Sequence, residues 1–261
     1  MADALHAEWT KLRTLASTFW LLLAAAVLTI AVGTAAAAAF SCGPGECALS
    51  GADPAKISLT GIDLGQAVVA LLAVLAIGGE YSTGMIRLTL AAMPRRLTVL
   101  AAKAAVITGC VLAASAVAVL GSVLAGRLIL PGHGLSQANG YQLLSLGNGP
   151  DLRATAGAVL YLALIALLAI GLTTAVRDSG VAIGAVLGLL YLFPIVSSVV
   201  PDQTLSRRLE QIAPMTAGQY IEATTGVPTL PLTPWQGLGV LALWAFGALL
   251  LGAAVLRLRD A

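Results

Sequence analysis

Charge is what this chain has least of. Only 10% of its 261 residues are Asp, Glu, Lys or Arg, against roughly 25% in soluble domains. With 59% hydrophobic residues and a mean hydropathy of +0.94, an ordinary soluble enzyme is excluded. The lysines are Lys11, Lys56 and Lys103, preceded by Thr10, Ala55 and Ala102, so there is no Gly-Lys-Ser/Thr phosphate loop. This polypeptide is not expected to hydrolyse ATP by itself. His6 and His133 are the only histidines, and the topology below puts them on opposite sides of a membrane, where they form neither a zinc site nor a hydrolase centre. No Gly-x-Ser-x-Gly elbow occurs. No catalytic residue, metal ligand or cofactor site is therefore expected.

What the chain has is long apolar runs. About 20 apolar residues span the ~30 Å hydrocarbon core as a helix. Six such runs are read at about 18–40, 62–79, 104–126, 154–176, 181–200 and 235–256. The expected fold is one all-α polytopic membrane domain covering 1–261. The first run exceeds the 7–15 residues of a signal-peptide core, which favours an uncleaved span. With both termini cytoplasmic, nine of the fourteen cations lie inside and five outside, as the positive-inside rule requires.

The middles of the six runs carry no charge. A proton- or sodium-coupled carrier needs ionisable groups at that depth. Energy must then come from a partner, or there is no active transport. Thr108, Ser115, Ser122, Thr173 and Thr174 are candidate polar contacts along a path, or hydrogen-bond partners within the helix bundle. Lys103, about a turn inside the third run, is read as snorkelling to the inner interface without a functional pair.

Between the runs, several segments have character. The amino-terminal segment, 1–17 with the start of the first run, carries Leu5, Trp9, Leu12, Ala16 and Phe19 at helical spacing. This predicts an amphipathic helix, either lying in the inner interface or extending the first span, with Glu8, Trp9, Lys11 and Arg13 as interface residues. Cys42 and Cys47 in the first outer loop are either a disulfide pair or two unpaired small residues. Gly180, Gly184 and Gly188 form a double Gly-x-x-x-Gly pattern that predicts close helix packing, within the subunit or between subunits. The long loop at 201–234 is expected to be structured, with a short amphipathic helix at 205–212 and Trp235 anchoring the last span.

The segment 80–96 is the richest. Ile86, Leu90, Met93 and Leu97 follow 4, 3, 4 spacing, and Pro94 disfavours helix at Met93. A short in-plane helix ending near Met93 is predicted, with Arg95 and Arg96 at the lipid headgroups; an ordinary snorkelling loop is the alternative.

Several motifs resemble those of the membrane subunit, or permease, of type-2 ATP-binding-cassette (ABC) exporters. They are Glu8-Trp9-Thr10-Lys11-Leu12-Arg13, Gly79-Glu80-Tyr81-Ser82-Thr83-Gly84, Leu90-Ala91-Ala92-Met93-Pro94-Arg95-Arg96, Pro214-Met215-Thr216-Ala217-Gly218-Gln219 and Arg257-Leu258-Arg259-Asp260. The resemblance implies that 80–93 is a coupling helix fitting a separate cytoplasmic ATPase, which the amino-terminal helix also contacts. Glu80, Tyr81, Gly84, Arg87, Pro94, Arg95 and Arg96 would form that joint, Glu80 as an ion-pair or capping group. ATP and Mg would reside on the ATPase. A second permease copy, identical or related, would complete the path in the plasma membrane, and no nucleic acid is involved. An amphipathic, lipid-like or drug-like cargo would move outward. From other classes, a non-transporting immunity or sensor protein and, less favoured, a secondary carrier are the competing readings.

Overall fold

The computed structural model describes residues 2–14, 16–41, 52–86, 96–136, 141 and 143–258, the side chains of 2–4, 12 and 14 aside. Among these residues there are helices and no strands. Six helices are long and apolar enough to cross a membrane, as a multi-pass membrane protein requires. They are span one, Ala16–Ala39; span two, Ile62–Ser82; span three, Arg96–Ile129; span four, Gly149–Val176; span five, Ser179–Val199; and span six, Pro234–Leu258. Each matches a predicted run. Most overshoot it, because helix continues past the hydrocarbon into residues that hydropathy discounts. Span three starts eight residues before its apolar run, at Arg96.

An even number of spans puts both ends of the chain on one side, here the terminal face. The opposite side is the far face. At the terminal face, an amino-terminal helix, Ala2–Thr14, packs chiefly on span three. Span three and the link after span four hold span six there through backbone carbonyls: Arg96 donates to Leu256 O at 2.9 Å and Arg177 to Val255 O at 3.0 Å. Spans four and five are joined by Arg177 and Asp178 alone. Arg177 takes a left-handed φ of 66°, and Asp178 caps span five by accepting the Val181 N–H at 2.8 Å.

Span four is the centre of the bundle, packed against spans two, three, five and six, most extensively against six. Gly171 and Gly252 make that contact close. A Cβ on Gly171 would stand 2.4 Å from the Ala248 carbonyl carbon, and one on Gly252 would stand 2.7 Å from Gly171 O. The glycine pattern in span five behaves otherwise. Gly180, Gly184 and Gly188 are exposed, and a Cβ at Gly184 or Gly188 would meet no described atom within 4 Å. Close packing of these three within the subunit is therefore corrected: the helix turns Ala182, Val186 and Leu190 inward instead. Helix continues through Pro194 to Val199.

The far face is capped. Asp202 starts a helix at Gln203–Ile212, close to the predicted 205–212, and a second runs over Pro214–Gln219. Asp53 ties the two long loops together. It accepts from the Thr224 and Thr225 N–H groups at 2.5 and 2.9 Å while capping the helix Pro54–Leu59. Trp235 opens span six and is exposed, suited to the interfacial anchor expected of it. Cys42 and Cys47 lie outside the described residues. Cys110 is a free thiol within span three.

Candidate functional site

Three helices meet at the terminal face around four charges. Glu80 sits in the last turn of span two, Lys103 about 10 Å inside the start of span three by helical rise, and Glu8 and Lys11 one turn apart on the amino-terminal helix. Lys103 Nζ donates to Glu8 Oε2 at 2.8 Å and to Glu80 Oε1 at 2.5 Å. Lys11 Nζ reaches Glu80 Oε1 at 3.2 Å and Glu8 Oε1 at 3.4 Å. Two carboxylates and two ammoniums make the knot neutral, which is what allows charge to be buried at all. Burial alone would lower the Lys11 pKa; Glu80 and Glu8 outweigh it and hold the ammonium above its usual range. Glu80 Oε2 accepts no hydrogen bond among the described residues.

This overturns the snorkelling expectation for Lys103, which is 4% exposed and doubly paired. A snorkelling lysine seeks headgroups or water; this one ends on two carboxylates brought from elsewhere in the chain. The amino-terminal helix is also turned differently from a simple amphipathic expectation. Its inward face centres on Glu8, while Trp9 is 51% exposed, beside a bundle surface that also exposes Phe19 and Trp20. Trp9 thus faces outward, where a membrane would lie, and Glu8 faces protein. Arg13 is exposed.

The predicted segment 80–96 divides. Glu80, Tyr81 and Ser82 are helix, but they are the end of span two and not the start of an in-plane helix. Thr83 caps it, and Gly84 turns the chain with φ +70°, its N–H on Tyr81 O at 3.3 Å. Span two therefore ends in a glycine-terminated helix stop. A side chain at Gly84 incurs the left-handed penalty, so Gly84→Ala should cost about 1–2 kcal/mol. Gly79→Ala, inside the helix with open space around the added carbon, should gain up to about 1 kcal/mol. Melting of the two variants in detergent checks the opposite signs. Arg87, Pro94 and Arg95 lie outside the described residues. Arg96 is the first residue of span three, and the Arg177 guanidinium lies 6.0 Å from the centre of the Tyr81 ring.

The path candidates are mostly turned back on their own helices. Thr173 and Thr174 donate to carbonyls four residues back at 2.7 and 2.8 Å, and Ser115 to one three residues back. Ser122 alone crosses, to Thr29 O of span one at 3.3 Å. Among the described residues Thr108 Oγ1 is buried without a partner.

At the far face lies a second polar cluster, built on Asp63 and Gln66 in the first turns of span two. Gln66, fully buried in span two, accepts the Tyr161 hydroxyl of span four and donates to Tyr191 of span five at 3.2 Å. Gln219 donates to Asp63 Oδ1 at 2.5 Å, so the short helix Pro214–Gln219 is fastened to span two. Beside it Glu222 is buried, and Oε1 has no partner among the described residues. Burial, and then the nearby Asp63 carboxylate, push its pKa well above the usual carboxylate range.

A carboxyl whose pKa is raised by folding stabilises fully below the unfolded value of 4.5 and less as pH climbs toward its folded value. The far-face cap should therefore loosen from about pH 4.5 upward, and Glu222→Gln should remove that component. Hydrogen exchange across 201–233, followed against pH in both proteins, measures it; parallel profiles would reject the assignment.

Among the described residues no group of three His, Cys, Asp or Glu side chains could hold a metal ion. No protein-family model matches the chain, and no curated protein matches it.

Proposed function

We propose that this chain is the membrane-spanning subunit of an ATP-driven exporter of the type-2 ABC kind, working with a separate ATPase. The observation that carries the reading is the knot of Glu8, Lys11, Glu80 and Lys103. It joins the amino-terminal helix to both spans that bracket the 87–95 link. A force delivered to that link from outside the membrane would reach spans two and three together, with the amino-terminal helix moving as part of the same body.

Three further features support it. No phosphate loop is present, so an ATPase must be borrowed. The spans hold no free mid-depth charge of the kind an ion-coupled carrier uses. The far-face cap is tied to span two through Asp63 and Gln66, which gives movement at the terminal face a mechanical route to the opposite side. In this reading both termini are cytoplasmic, the membrane is the plasma membrane, two permease copies flank the path, and the cargo is amphipathic.

The test is co-purification of the chain with an ATPase encoded beside it, followed by ATP-dependent export in vesicles. Glu80→Ala combined with Arg87→Ala should abolish export. Because Glu80 also holds the knot, Arg87→Ala alone should lower ATP turnover coupled to export while leaving the melting temperature unchanged. Export that persists in both variants, or a chain that never associates with the ATPase, defeats the proposal.

A further inference from the structure

Under the far-face cap lies a cavity of about 300 Å³, and every described residue lining it has a polar side chain. The volume sits at the lower end of small-molecule sites, roughly 300–1,000 Å³. Lys56, Asp63, Glu210 and Glu222 bring charge to it from four separate elements. Glu222 is 5% exposed, yet neither carboxyl oxygen has a hydrogen-bond partner among the described residues; Oε1 is sealed and Oε2 is not.

We propose that this cavity binds a guanidinium group presented from the far side. The hydrogen bonds already made decide the chemistry. Thr60, Thr216 and Tyr220 line the cavity, and each has given away its one hydroxyl proton, to Lys56 O at 3.1 Å, Glu210 O at 3.0 Å and Glu210 Oε2 at 3.2 Å. Toward a ligand they offer lone pairs only. Asp63 Oδ2 and Glu210 Oε1 are further acceptors that no described donor serves and that are not sealed. The site therefore asks for N–H donors. It also asks for positive charge. Lys56 is the one described cation on the wall, and it pairs with none of the carboxyls, because every described ion pair belongs to the terminal-face knot. The undescribed far-side residues, 42–51, 137–140 and 142, add no Lys, Arg or His; their one charge is Glu46. Among the described residues no three carboxyls converge enough to hold a metal ion, so a broad head fits better than a bare ion. A guanidinium offers five donors in a flat fork and is always charged.

Glu222 couples this binding to a proton. Burial, and then Asp63, hold it above the usual carboxylate range, so it keeps its proton in the free protein. Around it stand Asp53, Asp63 and Glu210, the cations Lys56 and Arg153, and the Tyr161 and Tyr220 hydroxyls. Helix Pro214–Gln219 contains no charge, and span six carries only Arg257, at the other face. A cation beside Glu222 favours its carboxylate, so the proton leaves to water as the guanidinium enters. Binding then tightens as pH rises, and the ligand does not titrate. The site belongs to this chain alone and does not depend on an ATPase.

The test is titration calorimetry of the full chain in phosphatidylcholine nanodiscs with butylguanidinium, against nanodiscs alone. Butylurea has the same shape without the charge and should bind at least about tenfold more weakly, a gap of about 1.4 kcal/mol. Asp63→Asn keeps an oxygen for Gln219 and should weaken binding by a similar factor. Lys56→Met, at an exposed position, should tighten it about twofold or more without shifting the melting temperature. Proton release, read from buffers of unlike ionisation enthalpy, should be present in the native chain and absent in Glu222→Gln. The ligand should also slow hydrogen exchange across 201–233. Acetyl-arginine methylamide identifies the source. Binding like that of butylguanidinium means that an arginine side chain of a peptide fills the site, and no binding means a free guanidinium compound; both uphold it. Equal affinity for butylurea, weaker binding in Lys56→Met, unchanged binding in Asp63→Asn, or no heat beyond that of nanodiscs alone overturns the proposal.

Discussion

Lys103→Met should destabilise the protein by about 3–5 kcal/mol, the usual cost of removing one partner from a buried ion pair. Glu8 and Glu80 would then share only Lys11, whose side chain is 33% exposed, and each would keep a carboxylate out of water. A snorkelling lysine predicts the opposite sign. Deleting an unpaired charge from a membrane helix removes an insertion cost of about 2.5–3.5 kcal/mol at the helix centre, less near its end. Unfolding in mixed micelles therefore separates the two with no ambiguity of direction. Combining Lys103→Met with Glu8→Gln and Glu80→Gln should recover most of the loss, because of the four knot charges only Lys11 is left, and its side chain, 33% exposed, can turn to water. Limited proteolysis should show the amino-terminal helix released in the single variant and held again in the triple.

Gly171→Ala should cost about 3 kcal/mol, at the upper end of what overpacking does. Alanine is ordinarily the better helix former, by up to about 1 kcal/mol, so the expected sign is itself informative. Here the added carbon would meet the Ala248 carbonyl carbon and the Leu249 nitrogen at 2.4 and 2.5 Å. These are backbone atoms, and no rotamer change moves them; spans four and six would have to separate along their contact. Gly184→Ala is the matched control, since its carbon meets nothing, and it should be neutral or slightly stabilising. Thermal unfolding of the pair decides the matter. Similar stabilities for both variants would mean that the close approach at Gly171 contributes nothing.

Why six spans could be read from the sequence, while their lateral contacts could not, follows from where each energy resides. Transfer of a side chain into hydrocarbon is local and nearly additive, so a run such as 154–176 declares itself. Lys103 interrupted that signal and hid the first two turns of span three, which begin at Arg96. Its partners stand 95 and 23 residues away along the chain, and no local pattern reports them. Snorkelling accounts for the residue on its own terms until Glu8 and Glu80 are seen beside it. The Glu80 motif pointed to the right place for an ion pair, but not to the helix that contains it. Small-residue patterns fail for a related reason. Gly180, Gly184 and Gly188 make one smooth helix face and say nothing about whether anything lies against it. Gly171 and Gly252 meet across two helices, and neither belongs to a repeat within its own.

The knot also imposes an order on synthesis. Glu8 leaves the ribosome 95 residues ahead of Lys103, roughly 5–20 s at ordinary elongation rates. Throughout that interval its carboxylate has no partner in span three, and when Glu80 arrives it joins as a second anion with Lys11 as the only available cation. The amino-terminal helix must therefore wait in water or among headgroups, and it can be drawn into place only after the third span has entered the membrane. A segment made before all six spans is among the last to be seated.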